Sequence, residues 1–200
     1  MTIVLIEDDD AVLDSLRLLL EGHGMTVRCF VSSEAFLAAE ADSTSSCIVS
    51  DVRMPGMSGL DLQRELKVRS CSVPIILITG HGDIAMAVSA MREGAFDFIE
   101  KPYDAGQLIV SIEKALAADQ KHRNSQSHRA ELIARMAELS PRQREVMQLV
   151  ADGLSNKQIA QRLGISPRTV ENYRAWVMER MGAANVAELV RKVLLIQNRN

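Results

Sequence analysis

No run of apolar residues in this chain reaches the ~18 to 20 positions that a membrane-spanning helix requires. Its start, Met1-Thr2-Ile3-Val4-Leu5-Ile6, turns acidic at Glu7, where a secretory signal would have had a basic beginning and a longer apolar stretch. Neither membrane insertion nor export is therefore expected, and the cytoplasm is the expected location. Cysteine is scarce: Cys29, Cys47 and Cys71 are odd in number and fit no metal-ligand spacing. They point away from a disulfide framework or thiolate zinc site, and read as small residues in a reducing compartment. Internal repeats and low-complexity tracts are missing as well. What is present is ordinary for a globular chain, with 47% hydrophobic and 24% charged residues.

The small net charge of −3 conceals an uneven distribution. Residues 1–118 hold 9 Lys and Arg against 18 Asp and Glu, a net of −9. Residues 119–138 hold 4 against 3, and residues 139–200 hold 10 against 5, a net of +5. An acidic part joined to a basic one implies that the C-terminal part meets a polyanion. The plain alternative is chance segregation of solvated surface charge.

Hydrophobic patterning divides the chain in the same way. Through residue 118, short β-type runs (Thr2–Ile6, Thr26–Phe30, Cys47–Ser50, Pro74–Ile78, Phe96–Ile99) alternate with helical stretches near 11–21, 33–40, 58–68, 84–93 and 105–118. Ile75-Ile76-Leu77-Ile78 does not alternate apolar with polar, so both faces of that strand are expected to be buried, as in a parallel sheet covered by helices on both sides. Five such units predict an α/β, doubly wound, flavodoxin-like domain over 1–118, with its ligand site at the carboxyl ends of the strands. Residues 119–138 begin without apolar periodicity and read as a linker whose later part, 130–139, is helical. Residues 139–200 read as a separate all-α domain.

The strand ends carry a specific set of groups. Strand one ends in Glu7-Asp8-Asp9-Asp10, strand three in Asp51 and strand four in Thr79-Gly80, and strand five is followed by Lys101-Pro102. In a doubly wound sheet these converge on one edge. Each has a use in phosphoryl transfer. A carboxylate can attack phosphorus covalently, and crowded carboxylates need a hard divalent cation such as Mg2+ (or Mn2+), which selects oxygen ligands. A hydroxyl and an ammonium can then bind phosphoryl oxygens. Singly, each feature reads as a solvated turn, a helix cap or nothing. The combination at strand ends one, three, four and five is specific.

These stretches, Val4-Leu5-Ile6-Glu7-Asp8-Asp9, Asp51 to Gly59, Ile78-Thr79-Gly80-His81-Gly82 and Phe98-Ile99-Glu100-Lys101-Pro102, resemble bacterial response-regulator receiver domains, nearest the FixJ-like group. The resemblance implies that Asp51 accepts a phosphoryl group from a sensor histidine kinase. Glu7, Asp8, Asp51 and the Arg53 carbonyl would bind Mg2+, and Lys101 would contact the phosphoryl oxygens. The bond to Pro102 would be cis. Thr79 would move to bond the phosphate, with Phe98 swinging inward. Glu7 stands where the family more often has Asp. Asp9 and Asp10 lie one step past the site, at the start of the first helix, while Arg53 and His81 flank it. Gly80 leaves a phosphodonor room to approach.

In the C-terminal part, Ser140-Pro141 opens a helix with a cap residue and Pro at its first position. Ser155 caps a second helix with Ile159, Ala160 and Leu163 on one face, and Gly164-Ile165 makes a tight turn. Ser166-Pro167 opens a third with Val170, Tyr173, Val177 and Met181 at helical spacing, and a last helix shows Val186, Leu189, Val190, Val193 and Leu194. Two helices joined by a short Gly-containing turn form a helix-turn-helix. Its outward residues are expected to be Arg168, Thr169, Glu171, Asn172 and Arg174, side-chain types that read base edges or bind phosphates; Lys157 on the preceding helix joins them. A plain helical bundle with a charged face is the competing reading.

Leu139-Ser140-Pro141-Arg142-Gln143-Arg144-Glu145-Val146, with Asn156-Lys157-Gln158-Ile159-Ala160, Leu163-Gly164-Ile165-Ser166 and Thr169-Val170-Glu171, resembles the LuxR-type DNA-binding domain. The likeness implies four helices, the third entering the major groove and the fourth supporting dimers. Tyr173 replaces the usual His, and Trp176 reads as a packing residue. The whole reads as a phosphorylation-switched transcription regulator, not an enzyme. Its expected partners are double-stranded DNA, a second copy of itself on phosphorylation, and RNA polymerase. Two rivals stay open: a phosphatase or phosphotransferase working through an aspartyl-phosphate, and a receiver that binds DNA constitutively.

Overall fold

The computed structural model describes residues 1–39, 45–80 and 84–197. The chain divides into two units, Met1–His122 and Arg123–Asn200.

The first unit holds β1 (Thr2–Ile6), α1 (Asp10–Gly22), β2 (Thr26–Phe30), α2 (Ser33–Ala38), β3 (Ser45–Asp51), α3 (Gly59–Val68), β4 (Ile75–Thr79), α4 (Ile84–Glu93), β5 (Asp97–Glu100) and the first part of α5 (Ala105–Ala137). All strand pairs are parallel, in the order β2-β1-β3-β4-β5. The two-residue period of a strand sends neighbours to opposite faces. Ile3, Leu5, Ile76 and Ile78 therefore join Leu13, Leu16, Leu20, Leu108 and Ile112 of α1 and α5, while Val4, Ile6, Ile75 and Leu77 join Phe36, Leu62, Leu66 and Ala90 of α2, α3 and α4. Two apolar layers on one sheet explain why Ile75 to Ile78 carry no polar residue. The parallel five-stranded architecture expected from the sequence is thus present.

Boundaries shift where packing outweighs local pattern. β3 starts at Ser45, with Ser45 and Ser46 buried within the sheet. Phe96 lies just outside β5, its N–H donating to the Ile75 carbonyl at 2.8 Å. The largest departure is α5, which runs to Ala137 across the stretch expected to begin as a linker. No Gly or Pro occurs between Gly106 and Pro141, so no strong breaker interrupts the helix there.

The second unit contains the rest of α5, then α6 (Pro141–Ala151), α7 (Asn156–Leu163), α8 (Pro167–Met181) and α9 (Val186–Gln197). Three serines start three of these helices. Ser140 and Ser155 form capping boxes with Gln143 and Gln158, and Ser166 accepts from the Thr169 N–H at 3.0 Å. Gly164, at φ 65°, ends α7 in the left-handed conformation and so sets the tight turn into α8. Val146, Ile159, Leu163, Val170, Val177, Met181, Leu189 and Val193 build the core. Val186 and Leu194 of α9, by contrast, are 38% and 50% exposed.

Candidate functional site

β1, β3 and β4 end side by side, with Ile6 paired to Ser50 and Asp51 paired to Ile78. This register places the residues after β1 beside the end of β3. Asp51 and Glu7 are both buried. The Lys101 ammonium lies between them, donating to Asp51 Oδ1 at 2.7 Å and to Glu7 Oε2 at 2.8 Å. The second Asp51 oxygen accepts from the Arg53 N–H at 2.6 Å. In the turn after β5 the Lys101 N–H donates to the Thr79 carbonyl at 2.7 Å, which ties Lys101 to the end of β4; the Lys101–Pro102 bond is cis.

Electrostatics follow from this burial. Loss of water pushes the Glu7 carboxyl above the ordinary glutamate value, in spite of its bond to Lys101. Burial also works against the Lys101 ammonium, but its bonds to Asp51 and Glu7 outweigh that and hold its pKa above the usual lysine value. Burial likewise raises the Tyr103 phenol nearby.

Thr79 is fully buried at the end of β4, next to the site in sequence register. Phe98 is half-buried against the core layer of α2, α3 and α4. Asp9 caps α1, accepting from the Ala11 and Val12 N–H groups at 2.9 and 3.1 Å. Asp8 and the Arg53 side chain are exposed. His81 lies outside the described residues.

The oxygen donors Glu7, Asp8, Asp51 and the Arg53 carbonyl suit a hard divalent ion in kind. As arranged here, Lys101 bridges two of the carboxylates, and among the described residues no three His, Cys, Asp or Glu side chains form a metal-holding group.

One contributor has no signature in the sequence. Glu34, in the first turn of α2, accepts from the Met57 N–H at 2.7 Å and bears on Gly56, whose φ is +76°. It braces the loop after β3 at Gly56 and Met57. Backbone hydrogen bonds, its own and that of Met57, hold the Glu34 carboxyl below the usual range. Only the tertiary structure brings residues 34 and 57 together.

In the second unit, α8 presents one open face. At about 100° per residue, the buried Val170, Val177 and Met181 point roughly 140–180° away from Asn172. Arg168, Glu171 and Asn172 are exposed, as is Lys157 on α7, while Thr169 is half-buried with its hydroxyl 2.8 Å from that of Ser166. Arg174 is a correction to the outward set. It falls on the buried side, half-covered, and its Nη1 donates to Asn156 Oδ1 at 2.6 Å. Trp176 is the second correction: the sequence reads it as a packing residue, yet it is 55% exposed. Tyr173 packs partly against the core.

A doubly wound domain with an ammonium-bridged carboxylate pair at its strand ends, in one chain with a capped helix-turn-helix, defines a response regulator. Residues 3–113 match the response regulator receiver domain family, and residues 137–193 match the LuxR family of bacterial regulatory proteins. The chain belongs to the FixJ-like response regulators, which are phosphorylation-dependent transcription regulators with a receiver and a LuxR-type DNA-binding domain. It is 48% identical to the transcriptional regulatory protein FixJ of Azorhizobium caulinodans, over 95% of this chain and 90% of that one. It is 43% identical to nodulation protein W of Bradyrhizobium diazoefficiens, over 94% and 83% respectively. Among solved structures, the response regulator StyR matches with a TM-score of 0.84 at 38% identity, covering 96% of this chain and 98% of that one. Full-length FixJ from B. japonicum matches at 0.61 and 44% identity, covering 100% and 98%. No helix among the described residues is long and apolar enough to cross a membrane.

Proposed function

We propose that Asp51 is the phosphoryl acceptor. The observation that carries this is the Lys101 ammonium held 2.7 Å from Asp51 and 2.8 Å from Glu7. Such a cation lowers the cost of bringing a phosphoryl group to a buried carboxylate. An Asp51 carboxylate oxygen attacks the phosphorus of a phosphohistidine on a sensor kinase. The new O–P bond forms as the P–N bond breaks, and its electron pair returns to the imidazole. Lys101 stays within reach of the incoming oxygens, and the Arg53 N–H fixes the orientation of the acceptor. Glu7, Asp8, Asp51 and the Arg53 carbonyl are the residues that would hold Mg2+ (or Mn2+), which when bound neutralises the converging negative charge.

Thr79 and Phe98 form the switch in this reading, Thr79 bonding the phosphoryl group and Phe98 following it inward. Moving a two-state equilibrium from 1:99 to 99:1 takes about 5.5 kcal/mol of differential stabilisation. Charge-assisted bonds to Thr79 and Lys101 supply about 1.5–3 kcal/mol each. The two together barely suffice, so a second copy and DNA complete the transition. Dimers form through the face around Phe98 and α5, where Val110 is 48% exposed. The second unit then binds double-stranded DNA with Lys157, Arg168, Thr169, Glu171 and Asn172. The protein acts in the cytoplasm, with RNA polymerase as a further partner.

The test is phosphate incorporation from acetyl phosphate with Mg2+, for wild type and Asp51→Asn, followed by DNA-binding selection at a stated salt concentration. Label should enter wild type alone and raise DNA affinity. Equal labelling of the Asp51→Asn variant would falsify the assignment.

A further inference from the structure

The open face of α8 contains a residue that belongs to neither the core nor the charged set. Trp176, the sole tryptophan of the chain, is 55% exposed, one helical turn beyond Asn172 and two beyond Arg168. At about 100° per residue it stands roughly 40° round the helix from Asn172, as Arg168 does on the other side. The three side chains therefore form one i, i+4, i+8 row, and the exposed Ala175 beside them keeps the helix surface low. What sets Trp176 apart from other exposed apolar residues is its place: a large aromatic side chain open on the same helix face as Arg168 and Asn172.

The chemistry around the indole narrows what it meets. Trp176 lines a depression with Arg135, Glu138, Glu179 and Arg180, two cations and two anions. Arg180 is paired with Glu138 at 2.7 Å, and Arg135 with Glu131 at 2.6 Å. Such balanced surroundings offer little to a phosphate, whereas Arg168, with no ion pair among the described residues, does. What Trp176 offers is apolar area, continuous with the row that faces DNA. In the major groove, the apolar group on a base edge is the 5-methyl of thymine.

We propose that Trp176 is a specificity-determining residue, its indole packing on the methyl group of one thymine in each half-site, beyond the base pairs met by Arg168 and Asn172. This rests on α8 being the helix that reads DNA. It adds an apolar discriminator to a face otherwise made of charged and amide groups.

The experiment uses the full chain, phosphorylated with acetyl phosphate and Mg2+, at one fixed salt concentration. Duplexes enriched by wild type from a random library are resynthesised with each thymine replaced singly by deoxyuridine, which deletes only the methyl group. Wild type should lose about fourfold in affinity at one position per half-site, the partition value of a single methyl-sized group. Trp176→Ala should bind the thymine and deoxyuridine duplexes alike at that position, and Trp176→Phe should keep part of the difference. The indole emission of wild type should also become protected from acrylamide quenching when the duplex is added. Trp176 is exposed, so both variants should retain their helical circular dichroism. The proposal is overturned if every deoxyuridine effect persists in Trp176→Ala, or if no methyl deletion affects wild type. A Trp176→Ala protein that binds as wild type does but fails with a protein partner would overturn it too. Failure of wild type to enrich any duplex would remove the DNA-reading role of α8 itself, and this inference with it.

Discussion

At the scale of single residues, Lys101 decides the character of the strand-end site. Two buried carboxylates share its ammonium, and burial already lifts the Glu7 pKa. In Lys101→Met, with chelator present, one carboxylate is expected to take up a proton rather than stay charged beside the other. A carboxyl whose folded pKa is raised stabilises the fold below its unfolded pKa and loses that contribution as pH rises through the folded value. Thermal melts should therefore show a deficit relative to wild type that is larger at pH 8 than at pH 5.5. A deficit independent of pH would contradict the shared-charge description. Arg174 offers a second residue-scale contrast. Its bond to Asn156 makes it a strut between α7 and α8, so Arg174→Met should lower stability by about 1 kcal/mol, after discounting for partial exposure, and leave base preference unchanged. Asn172→Ala should do the reverse, judged by urea unfolding and duplex selection side by side.

At the scale of elements, caps and braces matter more than propensity. Ser166 starts α8, and removing its hydroxyl in Ser166→Ala should cost about 1 kcal/mol, seen as a lower urea midpoint with unchanged slope. The loop after β3 depends on a partner distant in sequence. Glu34→Ala should abolish hydrogen-exchange protection of the Met57 amide, and Glu34→Gln, which keeps an accepting oxygen, should restore it. Most elements were legible because their signals are local. β1 and β2 span Thr2–Ile6 and Thr26–Phe30 as the patterning predicts, and Ser140, Ser155 and Ser166 mark helix starts. α5 departs from the patterning only between residue 119 and about 129, where apolar periodicity lapses but the helix continues. Periodicity reports which face is buried, whereas helix termination needs a breaker, and none stands before Pro141.

At the scale of the whole molecule, the uneven charge makes a measurable statement. The basic balance of residues 139–200 predicts that the logarithm of DNA affinity falls linearly with that of salt concentration. Lys157→Ala should reduce that slope by roughly one and weaken all sequences alike, if Lys157 touches a phosphate. Sedimentation with and without acetyl phosphate tests assembly: the phosphorylated chain should become a dimer and select paired half-sites about one DNA turn apart.

The sequence alone determined the two-part organisation, the five strands, the helix-turn-helix and the gathering of Asp51, Glu7 and Lys101. Each follows from periodicity, from residue types at strand ends or from turn chemistry, all encoded within a few neighbouring positions. Only the tertiary structure decided that Lys101 bridges both carboxylates, that Glu34 reaches Met57, that Arg174 turns inward to Asn156 and that Trp176 stays in the open. Those outcomes depend on distances between residues far apart in the chain, and on which side of a helix the finished core leaves exposed.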